Sequence, residues 1–150
     1  MAGYSGTPLV KKLGIKPASN IAFVNAPSGF AKELDLPSNV TVNSRSRKQL
    51  DFVHLFVKSE KELQTKFSEY AKRLEASGML WVSWPKRSSG VMTDVSEGTV
   101  RAIGLAAGLV DVKICAVDEV WSGLKFVFRL KDRAQVQAIR QVKTHKALNR

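Results

Sequence analysis

The segment Met79–Trp84 constrains the fold of this chain more than any other, because it is almost wholly apolar. A strand covered on both faces has this composition, since its side chains meet other protein rather than water. Pro85 follows directly and ends the strand, because proline has no N–H to give to a sheet ladder. The chain is therefore expected to contain a fully buried strand, which is typical of a parallel sheet covered by helices.

Apolar runs alternate with amphipathic segments along the rest of the chain. Spacing and turn residues predict strands at 21–24, 40–42, 50–57, 79–84, 112–117 and 124–130. They predict helices at 7–14, 31–36, 59–78, 94–108 and 132–150. Capping boxes are predicted to open the helices at Ser59 and Asp94, and Gly78 to cap the end of the first of these two. Ser122–Gly123 is typical of a two-residue hairpin turn between the last two strands.

This order of elements predicts an α/β fold, because strand–helix–strand units place their strands parallel and their helices across the sheet faces. The pattern resembles the class I methyltransferase variant of the Rossmann fold, shortened by one strand–helix unit. The resemblance implies a three-layer, mainly parallel sheet of about six strands with a C-terminal antiparallel hairpin. Its strand order would be second, first, third, fourth, sixth, fifth. A ligand would bind where this order reverses, at the carboxyl ends of the first and third strands. We expect a single Rossmann-like domain at residues 1–131 and a basic helical or disordered tail at 132–150.

The chain is strongly basic, and its charge is uneven. The net charge is +11 over 150 residues, of which residues 121–150 contribute +7 from 8 Lys/Arg and 1 Asp. Such a field attracts polyanions, which predicts a nucleic acid or nucleotide partner; the alternative is a tail that only keeps the protein dissolved. Cys115 is the single cysteine, so an internal disulfide is excluded. No apolar segment is long enough to span a bilayer, and we expect a cytoplasmic protein.

From its start to about Arg133 the chain is also similar to a bacterial family known only as domain of unknown function three thousand and fifty-two. The likeness lies in the short segments Gly3–Leu9, Lys12–Gly14, Asn25–Pro27, Gly29–Phe30, Gly78–Lys86, Gly104–Asp111 and Trp121–Phe126. It implies a small α/β protein and brings no catalytic residues with it. The tail after Arg133 lies outside the likeness, so its role is expected to be particular to this protein.

Positive and hydrogen-bonding groups follow the carboxyl ends of three predicted strands. Helix N-termini offer unpaired N–H groups, Lys and Arg add full charges, and a tryptophan can stack on a base. We therefore predict an anion-binding or ligand-binding site formed by Asn25, Ser28, Gly29, Lys58, Ser59, Trp84, Lys86, Arg87, Ser88, Ser89 and Gly90. The alternative is a solvated basic loop beside a tryptophan that belongs to the core.

The residues that usually hold a dinucleotide or S-adenosylmethionine in such folds are missing from the sequence. The loop after the first strand contains only Gly29 and loses a donor at Pro27, and residues 43–45 supply no acid for ribose hydroxyls. His54 and Cys115 lie within apolar strands, so we expect packing residues rather than a base or a nucleophile. The few His and Cys residues form no ligand cluster for a metal.

The sequence therefore predicts no cofactor, no metal and no catalytic residue. The favoured interpretation is a non-catalytic binding module that holds an anionic partner, a nucleic acid or a nucleotide, in a basic crevice and tail. The alternative is an enzyme that acts on a phosphorylated or nucleotide-like small molecule, or a degenerate S-adenosylmethionine-dependent methyltransferase. A scaffold for other proteins is a third possibility. The sequence leaves open whether the chain is an enzyme, and it favours a role without catalysis.

Overall fold

The computed structural model describes residues 8–42 and 49–148. The helices are α1 (Leu9–Leu13), α2 (Phe30–Glu33), α3 (Glu60–Ala71), α4 (Glu97–Ala106) and α5 (Arg133–Leu148). The strands are β1 (Asn20–Val24), β2 (Thr41–Val42), β3 (Leu50–Phe56), β4 (Leu74–Pro85), β5 (Leu109–Ala116) and β6 (Trp121–Phe128). Short 3₁₀ turns lie at Arg87–Ser89 and Leu130–Asp132.

One mixed sheet organises the molecule. Its six strands lie in the order β2-β1-β3-β4-β6-β5, which confirms the order that the resemblance to class I methyltransferases implies. Strands β2, β1, β3 and β4 run parallel, and β6 is antiparallel to both of its neighbours, β4 and β5. The α/β class and the antiparallel end of the sheet are therefore as predicted. Because β1 has β2 on one side and β3 on the other, the strand order reverses there and opens a gap at the carboxyl edge.

Helices cover both faces of this sheet, and each face has its own apolar core. Leu63 and Phe67 of α3 and Val100 of α4 pack on one face together with Leu80 and Phe126. Leu13 of α1 and Phe30 of α2 pack on the other face, around Phe52, Phe56 and Trp81. The indole of Trp81 is completely buried, and its Nε1–H donates a 2.8 Å hydrogen bond to the carbonyl of Leu13. The apolar segment Met79–Trp84 thus lies in β4, an inner strand in the middle of the sheet.

Helix α3 is shorter than its sequence predicts. It ends at Ala71, and β4 already begins at Leu74, whose side chain is buried and which pairs with Leu50. Gly78 therefore lies inside a strand and does not cap a helix, which corrects the prediction. The apolar residues between 70 and 76 suit both structures, and pairing with β3 decides between them.

The turn between the last two strands also differs from its prediction. It spans residues 117–120, where Asp118 Oδ1 accepts hydrogen bonds of 2.8 Å from the N–H groups of Val120 and Trp121. Gly123 lies within β6, paired with Ser83 and Cys115. A Cβ on Gly123 would lie 3.1 Å from Cε3 of Trp81, so this glycine makes room for the indole rather than forming a turn.

Residues 133–148 form helix α5, which lies against the sheet face that carries α3. Val136 packs on the core of that face, and Arg140 donates hydrogen bonds to the carbonyls of Leu74 and Ala71. The boundary at residue 131 between a domain and a separate tail stays a prediction. None of the helices α1 to α5 combines the length and the apolarity needed to cross a membrane.

Candidate functional site

A crevice of about 590 Å³ opens at the carboxyl ends of β1 and β3, which is the place predicted for a ligand. This volume is within the range of small-molecule sites, about 300–1,000 Å³. The residues that line this crevice are Asn25, Pro27, Phe56, Lys58, Ser59, Glu62, Val91, Val120 and Trp121. They come from the loop after β1, the end of β3, the start of α3, the segment after β4 and the start of β6.

The wall of the crevice toward the core is aromatic. The rings of Phe56 and Trp121 meet edge to face with their centroids 5.1 Å apart, and both side chains are almost fully buried. Val91 and Val120 add partly buried aliphatic surface. A flat apolar ring is the kind of ligand group that such a wall accommodates.

The opposite wall is polar and is organised by Asn25. This residue directly follows β1 and has a φ of 58°, a left-handed conformation that asparagine tolerates better than most residues. Its Nδ2 donates a 3.3 Å hydrogen bond to Oε2 of Glu62, in the first turn of α3. Two elements far apart in sequence thus fix a carboxylate at the crevice.

The start of α3 is already capped by the protein's own side chains. Ser59 Oγ accepts from the N–H of Glu62 at 3.1 Å, which is one half of the predicted capping box. The carboxylate of Glu62 bonds to Asn25 rather than to the N–H of Ser59, so the second half of the box is not formed. Asp94 Oδ1 accepts from the N–H of Glu60 at 2.7 Å, so Asp94 caps α3 and not α4. The N-cap of α4 is Ser96, which corrects the second predicted capping box. The N–H groups of Glu60 and Glu62, at the helix start predicted to bind an anion, are therefore already bonded to side chains of the protein.

The basic loop after β4 is also engaged within the protein. The ammonium of Lys86 donates a 2.6 Å hydrogen bond to the carbonyl of Asp118, and its backbone N–H donates to the carbonyl of Val120. Ser89 Oγ donates to the carbonyl of Lys86 at 2.6 Å. These bonds give Lys86 and Ser89 a structural role in joining the loop to the turn before β6.

Trp84 is only 6% exposed and belongs to the core under α3 and α4. With Arg87 it lines a second groove of about 430 Å³ beside the start of α4.

The predicted site residues therefore do not form one site. Asn25, Lys58 and Ser59 line the crevice, Trp84 and Arg87 line the second groove, and the lining of neither cavity includes Ser28, Gly29, Lys86, Ser88, Ser89 or Gly90.

Sequence reasoning missed most of the crevice lining, above all Glu62, Phe56 and Trp121. Glu62 lies three residues after Ser59 in the predicted capping box, and Phe56 lies in the predicted strand at 50–57, so neither local pattern marks a ligand site. Phe56 is the last residue of β3, and Glu62 lies in the first turn of α3, the next helix along the chain. The signal that could have found them is their place at the switch point of the predicted sheet.

His54 and Cys115 are packing residues in the structure, as expected. His54 is fully buried, its ring is stacked on Phe56 at 4.2 Å, and its Nε2 lies 2.7 Å from Oγ of Ser83. Burial lowers the pKa of His54 to about 3, so its imidazole is neutral at physiological pH. Burial also raises the pKa of the Cys115 thiol, which keeps it protonated. Residues 8–42 and 49–148 contain no cluster of His, Cys, Asp or Glu that could hold a metal.

No protein-family profile matches the chain, and no curated protein matches it either. Solved structures do share its fold. A SAM-dependent methyltransferase from Aquifex aeolicus matches with a TM-score of 0.56 and 18% identity, over 79% of this chain and 86% of the other. Magnesium protoporphyrin IX methyltransferase from Synechocystis PCC 6803, solved with bound SAM, matches with a TM-score of 0.56 and 11% identity, over 81% and 74%. A ribosomal protein L11 methylase from Lactobacillus delbrueckii subsp. bulgaricus matches with a TM-score of 0.54 and 10% identity, over 81% and 75%.

At these identities the likeness establishes the fold alone. The neighbours nevertheless contradict the prediction of a non-catalytic binding module for an anionic partner, because they are methyltransferases. The chain thus has a methyltransferase-like Rossmann fold with its crevice at the switch point of the sheet.

Proposed function

We propose that the chain binds S-adenosylmethionine in the crevice and acts as a methyltransferase. The observation that carries the proposal is the position of the crevice, at the carboxyl ends of β1 and β3 in a sheet whose solved neighbours are methyltransferases. Its volume of about 590 Å³ suits a ligand of nucleoside size. S-adenosylmethionine, when bound, would supply a methyl group on a sulfonium sulfur.

The residues that fit this ligand are not those that hold it in most Rossmann-like folds. The loop at 25–30 still has Gly29 as its only glycine, and residues 43–48 contain no Asp or Glu. Gly29 does not line the crevice, so the glycine of this loop gives the ligand no close approach to the backbone there. Support comes from the other side of the crevice, where Phe56, Val120 and Trp121 provide an apolar wall for an adenine ring.

The chain's own groups would hold and orient the ligand and exclude water. Phe56 and Trp121 are nearly fully buried, so the aromatic wall of the crevice would exclude water from the bound ligand. Lys58 and Glu62 supply charges at its polar side. A water-poor site favours methyl transfer because water competes as a nucleophile and weakens electrostatic contacts.

We also propose that the chain belongs to the bacterial family known only as domain of unknown function three thousand and fifty-two. This proposal rests on the segments quoted from the sequence, among them Gly78–Lys86 and Trp121–Phe126. Trp121, the first residue of the second segment, also lines the crevice. One residue of the family likeness is therefore part of the proposed site. A cytoplasmic location stays a prediction.

The test is direct measurement of binding by isothermal titration calorimetry with S-adenosylmethionine and S-adenosylhomocysteine. Val120→Arg places a bulky charge in the crevice and is expected to abolish binding. Arg87→Ala changes a residue of the second groove and is expected to leave binding unchanged. If the native chain fails to bind either ligand at millimolar concentration, the proposal is wrong.

A further inference from the structure

The crevice holds two opposite charges that do not neutralise one another. Lys58 and Glu62 both line it, four positions apart in the chain. In the described residues, the ion pairs join Lys66 to Glu69 and Arg101 to Glu97 and Asp111. Lys58 and Glu62 take part in none of them. The crevice therefore presents an ammonium and a carboxylate to whatever enters it.

The carboxylate has a defined orientation. Asn25 Nδ2 donates to Oε2 of Glu62 at 3.3 Å, and the left-handed backbone at Asn25 directs its amide from the end of β1 toward α3. Oε1 of Glu62 has no hydrogen-bond partner in segments 8–42 and 49–148, so it is available to a donor in the crevice. The Glu62 side chain is partly buried, which strengthens its attraction for a cation compared with a fully hydrated carboxylate.

We infer that Lys58 and Glu62 bind the amino-acid end of the ligand, which is a zwitterion. This inference rests on the proposed function and identifies the part of the ligand that the polar side of the crevice recognises. Glu62 accepts from the ligand ammonium, and Lys58 donates to the ligand carboxylate. Charge-assisted hydrogen bonds of this kind are about twice as strong as neutral ones.

The arrangement discriminates against simpler ligands. A phosphate would be attracted by Lys58 and repelled by Glu62, so the pair disfavours a purely anionic group. An adenosine without an amino acid would leave both charges without a partner, and its affinity would come from the aromatic wall alone. Only a ligand with both charges satisfies both residues.

The test uses two ligands that differ only in this end. S-adenosylhomocysteine carries the amino acid, whereas 5′-deoxy-5′-methylthioadenosine keeps the adenosine and the sulfur and lacks it. Binding of each ligand is measured by titration calorimetry to the native chain, Glu62→Gln and Lys58→Met. Glu60→Gln is the matched control, since it removes the same charge from the same helical turn at a residue outside the crevice lining.

We expect Glu62→Gln and Lys58→Met each to weaken S-adenosylhomocysteine binding by about tenfold or more, the loss typical of one charged hydrogen bond. Methylthioadenosine binding is expected to change by less than about twofold, and Glu60→Gln is expected to leave both affinities unchanged. Lys58 is an exposed loop residue, so Lys58→Met decides the question even if Glu62→Gln fails to fold.

Two results would overturn the inference and leave the proposed function standing: unchanged S-adenosylhomocysteine affinity in the charge variants, or equal weakening of both ligands. Failure of the native chain to bind either ligand would overturn the proposed function, and the inference with it.

Discussion

The backbone N–H of Glu60 donates a 2.7 Å hydrogen bond to Oδ1 of Asp94. This bond ties the first turn of α3 to the segment that follows the basic loop. A second bond beside it, from Thr93 Oγ1 to the carbonyl of Lys58, is 2.6 Å long. Together they hold residues 91–95 against the mouth of the crevice, where Val91 forms part of the lining. The cap of α3 is therefore also a support of the candidate site.

The cap leads to a first prediction. Asp94→Ala removes the acceptor of the Glu60 N–H and is expected to lower the free energy of unfolding by about 0.5–2 kcal/mol. Urea denaturation followed by circular dichroism measures the loss. Asp94→Asn keeps an acceptor oxygen and should retain most of the stability. Equal stability of Asp94→Ala and the native protein would show that the bond contributes nothing.

Close packing of α4 on the sheet leads to a second prediction. A Cβ on Gly104 would lie 2.0 Å from Cε1 of Phe126, which is fully buried. Gly104→Ala is therefore expected to destabilise the protein by about 1–3 kcal/mol, although alanine is the better helix former. Gly98→Ala in the same helix is the control, because its Cβ would approach nothing closer than Ser96 Oγ at 4.0 Å. Thermal melts that show both variants equally stable would contradict this packing.

Burial of His54 leads to a prediction about pH. Its pKa is lowered to about 3 in the folded protein, whereas the unfolded chain has a pKa near the ordinary value of about 6.5. Between these two values the unfolded state binds the extra proton. The contribution of His54 to stability is thus complete above pH of about 6.5 and falls by about 1.4 kcal/mol per unit as the pH is lowered toward about 3.

The measurement is the free energy of unfolding from pH 4 to 7.5 for the native protein and for His54→Gln. Carboxylates that titrate in the same range act alike in both proteins and cancel in the difference. The stability advantage of the native protein should shrink as the pH falls. A constant difference would mean that His54 is not the group responsible.

The docking of α5 leads to a fourth prediction. Arg140 donates from Nε to the carbonyl of Leu74 at 3.1 Å and from Nη2 to the carbonyl of Ala71 at 3.0 Å. Arg140→Ala removes both bonds near the junction of α3 and β4 and is expected to cost about 1–3 kcal/mol. Hydrogen exchange of α5 amides should rise in parallel. Gln137→Ala, on the exposed side of the same helix, is the control, and an effect of equal size there would argue against a specific role of Arg140.

Much of the architecture could be predicted from local patterns. Alternation of strands and helices predicted the α/β class, because strand–helix–strand units form parallel sheets with helices across their faces. The strand order was implied by the resemblance to the class I methyltransferase variant of the Rossmann fold. The errors fell where a local signal has two interpretations. Gly78 and Gly123 are glycines that resemble a helix cap and a hairpin turn, yet both lie in strands.

The candidate site was predicted less well than the fold. The structure brings Asn25, Lys58 and Ser59 to the crevice at the switch point, because the ends of parallel strands share one edge of a sheet. Their role in binding a ligand stays a prediction. Lys86 and Trp84 were assigned to the same site, but one bonds to the turn before β6 and the other packs in the core.

Sequence alone determined the class of fold, because hydrophobic periodicity and chain connectivity predict alternating strands and helices. The order of the strands, and with it the edge of the sheet where a ligand would bind, was implied by the resemblance to class I methyltransferases. Tertiary structure decided which side chains reach that edge. It brought Glu62 to Asn25 and Asp94 to Glu60 across segments that are distant in the chain. Local patterns cannot encode such contacts, because their geometry depends on how separate elements pack together.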